Sequence, residues 1–65
     1  MGRYRIYVLD AEDRVAAELE QGFPSERAAL VCAEVARIGQ YAAEVWRGER
    51  LVRRLGGPLT LDFAT

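Results

Sequence analysis

The sequence predicts an α+β fold: a two-layer ββαββ sandwich with one helix on one face of a four-stranded antiparallel sheet. Three observations predict it. Alternating, strand-like stretches occur in pairs on both sides of residues 25–39, a capped run of helical periodicity lies between the pairs, and Gly56-Gly57-Pro58 breaks the pattern afterwards. Residues 1–57 are read as one ββαββ domain. Residues 58–65 are read as a C-terminal tail or a short fifth strand at the edge, since Leu59, Leu61 and Phe63 alternate with Thr60 and Asp62.

Residues 3–9 are aromatic and β-branched, which favours a strand; Asp10-Ala11-Glu12-Asp13 supplies turn chemistry, and Arg14 to Glu20 returns. A two-residue loop at Glu12-Asp13 pairs Val8 with Ala17, Ile6 with Leu19, Tyr7 with Glu18 and Arg5 with Glu20. One face then carries Tyr4, Ile6, Val8, Val15, Ala17 and Leu19. The other carries Arg5, Tyr7, Leu9, Ala16, Glu18 and Glu20, with charges matched across strands. Ser25 is a good helix N-cap, Glu26 suits the positive end of the helix dipole, Arg37 suits the negative end, and Gly39 is a left-handed stop. Ala28, Val31, Cys32, Val35 and Ile38 fall on one stripe and are expected to face the sheet; Leu30 points away. Residues 40–47 and 49–55 form a second hairpin around Gly48, through either Arg47-Gly48 or Gly48-Glu49. Tyr41, Ala43, Val45 and Val52 are placed under the helix, and Ala42, Glu44, Trp46, Leu51, Arg53 and Leu55 on the opposite face.

The chain has 65 residues, too few to bury more than roughly 60% of its unfolded surface, so gains from burial and losses from ordering come out nearly even. Extra burial is expected from outside the monomer. One cysteine forms no internal disulfide, and with no histidine a zinc site is not expected. Self-association is the remaining source. The net charge of −1 argues against a general nucleic-acid or membrane-surface binder. The charge is uneven: residues 1–34 carry four arginines against seven acids, and residues 35–65 five against three. No apolar stretch approaches the ~20 residues of a membrane span and no signal-peptide pattern opens the chain, so a cytoplasmic protein is expected.

A single helix covers one side of the sheet. Tyr7, Leu9, Trp46, Leu51 and Leu55 are expected on the uncovered side, rimmed by Arg5, Glu18, Glu20, Glu44 and Arg53. An apolar centre with aromatic anchors and a charged rim is how protein interfaces are built. Alternatively, Leu59, Leu61 and Phe63 fold back over this face, within one chain or from a second subunit. Arg47, Arg50, Arg53 and Arg54 form a basic hairpin that suggests a second role. Arginine-rich antiparallel strands enter the major groove of DNA, and Trp46 stacks on an unpaired base in that reading. The plain alternative is a charged edge that discourages strand-to-strand aggregation.

Catalysis has little to work with. Lysine and histidine are missing, Cys32 lies in an apolar run, and Ser25 has no base beside it. Asp10, Glu12 and Asp13 lack the alternating ligand spacing and glycine of a calcium loop. No catalytic residue, metal site or cofactor is expected.

The opening Gly-Arg-Tyr-Arg-Ile-Tyr-Val-Leu-Asp and the Gly22-Phe23-Pro24-Ser25 helix entry resemble a family of short uncharacterised bacterial domains. Its members begin Pro-Arg-Tyr-aromatic-Phe and enter their helix through Leu-Pro-Asp/Ser. The resemblance covers residues 2–38, departs from the pattern at Arg5, and lacks the Asp-Gly turn after the first strand. It implies the fold and no activity. The same stretch is similar to the antitoxin half of some bacterial toxin–antitoxin pairs, with Gly22, Ser25 and Ala29 matching a Gly-x-x-Ser/Thr-x-x-x-Ala entry, although the third strand expected before the helix is missing. The expected function is a small, non-catalytic protein-interaction module of bacterial type. It homodimerises through the open sheet face or binds an unidentified protein partner; the alternative is a nucleic-acid-binding or antitoxin-like regulator.

Overall fold

The computed structural model describes residues 2–57. The expected fifth strand or tail, 58–65, lies outside the described residues. Strand β1 (Gly2–Leu9), β2 (Val15–Phe23), helix α1 (Glu26–Ala36), β3 (Ala42–Arg47) and β4 (Arg50–Gly56) follow in the predicted order. All neighbours are antiparallel, and the strand order is β2-β1-β3-β4. The two hairpins therefore meet through β1 and β3 at the centre of the sheet.

The first hairpin keeps the expected register, with Val8 opposite Ala17, Ile6 opposite Leu19, Tyr7 opposite Glu18 and Arg5 opposite Glu20. Its turn is longer than two residues. The Asp10 N–H donates to the Arg14 carbonyl at 2.9 Å, and the Asp13 N–H to the Asp10 carbonyl at 2.8 Å. The Asp10 carboxylate accepts from the N–H groups of Glu12 and Arg14, both at 2.9 Å, an Asx-type closure that lets Asp13 sit at φ 64°. The extra length is absorbed by a β-bulge: Leu9 faces Val15 and Ala16 is left over. Val15 consequently joins Leu9 on the open side of the sheet, where an unbroken alternation would have put it under the helix.

Ser25 caps α1 as expected, its hydroxyl accepting from the Ala28 N–H at 3.1 Å, and Gly39 takes φ 81° beyond the helix end. The helix is turned differently from the expectation. Ala29 and Ala33 are the fully buried residues of α1, with Ala28, Leu30 and Cys32 packed partly against the core. Val31, Val35 and Ile38 point outward at 57%, 62% and 76% exposure. The strands supply the bulk instead. Tyr4, Ile6, Phe23 and Val45 fill the space beneath the helix, and Tyr4 meets Phe23 edge-on with ring centroids 6.1 Å apart. With those large groups in place, alanines are what fit at the helix–sheet contact.

The second hairpin also contains a bulge. Val45 faces Arg53 and Trp46 faces Leu51, leaving Val52 as the extra residue, packed against the core. The slip reverses the faces of the last part of β4. Leu55 lies opposite Ala43 and packs against the core, so it is not part of the open sheet face; Arg53 moves to the helix side with it, and Arg54 takes the open side opposite Glu44.

The orientation of α1 makes a contrast testable by chemical denaturation. Ala33→Leu is expected to lose about 1–3 kcal/mol by overpacking the contact with the sheet. At concentrations where the chain is monomeric, Val35→Ala, although it removes a larger side chain, is expected to stay within about 0.5 kcal/mol of wild type.

Candidate interaction surfaces

The open side of the sheet collects Arg5, Tyr7 and Leu9 from β1, Glu44 and Trp46 from β3, Leu51 and Arg54 from β4, and Val15, Glu18 and Glu20 from β2. Of the residues expected there, Tyr7, Leu9, Trp46 and Leu51 are brought together and Leu55 is not. Tyr7 and Trp46 are half-buried, Leu9 is buried, and Leu51 stays exposed. The face is less bare than a list of its apolar groups suggests, because Arg54 lies across it. Its guanidinium donates from Nη1 to Glu44 Oε2 at 2.9 Å, from Nη2 to Asp13 Oδ1 at 2.8 Å and from Nε to the Gly57 carbonyl at 3.0 Å. The other Glu44 oxygen accepts from the Trp46 indole N–H at 3.0 Å. Only 13% of the Arg54 side chain remains exposed, and its pKa is raised above the ordinary arginine value chiefly by the bond to Asp13 and then by Glu44. A shallow hollow of about 330 Å³ remains between Tyr7, Leu9, Val15 and this cluster.

At the other end of the face, Arg5 Nη1 donates to the Tyr7 hydroxyl at 3.3 Å, and Arg5 and Arg3 stand 3.6–3.8 Å from the carboxylates of Glu18 and Glu20. The Tyr7 bond, then the two acids, hold the Arg5 pKa above its ordinary value. These exposed pairs set the strand register more than they add stability.

The four arginines of the second hairpin do not form one surface. Arg54 is occupied on the open side. Arg47 sits on the helix side, 5.4 Å above the Tyr4 ring centroid, with Arg50 opposite it across the hairpin and Arg53 opposite Val45. Among the described residues no group of three or more His, Cys, Asp or Glu converges as metal ligands, and no helix is long and apolar enough to cross a membrane. Asp10 is committed to its turn and Asp13 to Arg54. Cys32 is a free, half-buried thiol packed against the core.

A second apolar surface, on the outside of α1, escaped the sequence reading. Arg27, Leu30, Val31, Glu34 and Val35 line a shallow groove of about 480 Å³, larger than the hollows on the sheet, and Ile38 extends the stripe past the helix end. A signal for it exists: Ala29 and Ala33 at i and i+4 mark a close-packing face, which puts Val31 and Val35 on the opposite side.

No protein-family model, curated protein or solved structure matches the chain.

Two measurements check the turn and the clamp. Arg54→Met leaves the half-buried Glu44 short of its cationic donor and is expected to lose about 1–3 kcal/mol in chemical denaturation. The Asp10 carboxyl is held below its ordinary 3.8, first by the Arg14 N–H and also by that of Glu12. A depressed folded pKa contributes stability that is present above the unfolded value and is lost as pH falls through the folded one. An acid titration followed by circular dichroism is therefore expected to show a shallower loss of stability below pH ~3.8 in Asp10→Asn than in wild type.

Proposed function

We propose that this protein is a small non-catalytic interaction module that works by associating with a second copy of itself. The observation that carries the reading is the outward stripe of Val31 and Val35 on α1 and Ile38 just past its end, three branched aliphatic side chains more than half exposed. Scattered exposed apolar residues are ordinary, but a contiguous aliphatic stripe flanked by charge is the composition of an interface centre and its rim. A core in which the helix contributes mainly alanines supports the same reading, since such a small contact leaves much to gain from further burial.

The open sheet face, with Tyr7, Trp46 and Leu51, is the other surface proposed for the same role. It is the weaker of the two, because its own Arg54–Glu44–Trp46 cluster already satisfies its polar groups and Leu9 is buried. A nucleic-acid-binding role for Arg47, Arg50, Arg53 and Arg54 is the weaker reading, because Arg54 is occupied by Glu44 and Asp13 on the open side and only Arg47, Arg50 and Arg53 share the helix side. A cytoplasmic setting belongs to this reading and fits the free thiol of Cys32.

Sedimentation equilibrium or light scattering at micromolar to millimolar concentration tests it, with a concentration-dependent dimer as the expected result. A mass that stays monomeric throughout would remove the proposal. Trp46→Ala is expected to leave the dimer intact; a loss on that substitution would move the interface to the sheet.

A further inference from the structure

Resting on the self-association reading above, we infer that the second copy docks on α1 in antiparallel orientation, with a two-fold axis passing between Leu30 and Val31. At about 100° per residue, Arg27, Val31, Glu34 and Val35 fall within one sector roughly 100° wide. Arg27 and Glu34 are two helical turns apart and share nearly the same azimuth, with Leu30 and Val31 between them and Val35 just beyond Glu34. Both line the groove that Leu30, Val31 and Val35 floor, and neither has an ion-pair partner among the described residues.

Their placement is unfavourable for the isolated helix. Arg27 stands in the first turn, where the helix dipole favours an anion, and Glu34 in the last turn, where it favours a cation. A second helix running the other way reverses that disadvantage. The midpoint between residues 27 and 34 is the Leu30–Val31 position, so an isologous antiparallel pair brings Arg27 of each copy opposite Glu34 of the other, twice, with Leu30 and Val31 at the crossing. A parallel pair would set like charges against each other. The charge pattern is thus self-complementary in one orientation, and a second copy supplies the matching pattern without further assumption.

Charge reversal tests the geometry. Arg27→Glu and Glu34→Arg both place charge where the helix dipole prefers it, so each variant is expected to fold with a thermal midpoint no lower than wild type when all are compared at concentrations where the chain is monomeric. Each alone should dissociate its homodimer by a factor of about ten or more, because two attractive pairs become repulsive. Mixed in equal amounts, the two variants should form a heterodimer of near wild-type affinity, since every facing pair is again of opposite sign. If both variants dimerise as the wild type does, or if mixing restores nothing, the antiparallel helix contact is wrong while self-association stands. A wild type that is monomeric removes both.

Discussion

The architecture depends on a close contact between small residues. An eleven-residue helix is about 16 Å long and, with side chains, about 10 Å across, whereas the outer strands of a four-stranded sheet stand roughly 14 Å apart. Such a helix shields two strands fully and no more. Here it lies over β1 and β3, and Ala29 and Ala33 let it approach until Ile6 and Val45 are sealed beneath it. Tyr4 and Phe23 fill the rest of that core as one edge-on pair. Moving bulk from helix to strands has two consequences. Strand β2 is exposed from Val15 to Gly22, and the branched residues of the helix have nowhere to go but outward.

What the sequence made legible is what local chemistry decides. The register of the first hairpin follows from matching Arg5 to Glu20 and Ile6 to Leu19 at once, because a slip of one residue would have sent every side chain to the wrong face. The Ser25 cap and the Gly39 stop are equally local. The rotation of the helix was not legible, since residues 28–33 run Ala-Ala-Leu-Val-Cys-Ala without a polar interruption. Side-chain size alone puts the valines on the buried stripe, whereas the volume already claimed by the strands decides it. Neither bulge announces itself in residue type. Each displaces one residue from the alternation, and those two slips account for Val15, Arg53 and Leu55 facing opposite to their expected sides.

The same slips explain how the uncovered side of the sheet manages without a second layer. The bulge after Leu51 brings Arg54 to that side, and the longer first turn brings Asp13 within its reach. One guanidinium then links the β1–β2 turn, β3 and the end of β4, with its stem beside Leu9 and its head satisfied by two carboxylates and a carbonyl. Long cationic side chains cover apolar surface in this way while keeping their charge paired. The aromatic residue expected to anchor a partner, Trp46, is drawn into the same cluster through Glu44.

The two sides of the molecule are therefore unequal in what they leave unfinished. On the sheet side, apolar groups are interleaved with polar ones that have partners within the chain, so a docking protein would have to break or desolvate those bonds to reach Leu9. On the helix side, Val31 and Val35 carry no polar group to disrupt, and the nearest charges, Arg27 and Glu34, have no ion-pair partner among the described residues. In the proposed helix-to-helix contact the stripe would give up no internal hydrogen bond and Arg27 and Glu34 would gain partners, whereas burial of the sheet face would disturb the Arg54–Glu44–Trp46 cluster. That asymmetry follows from the alanines: had Val31 and Val35 faced the sheet, the outer helix surface would have carried Ala29, Leu30 and Ala33 between Glu26 and Arg37, with no stripe of branched aliphatic groups.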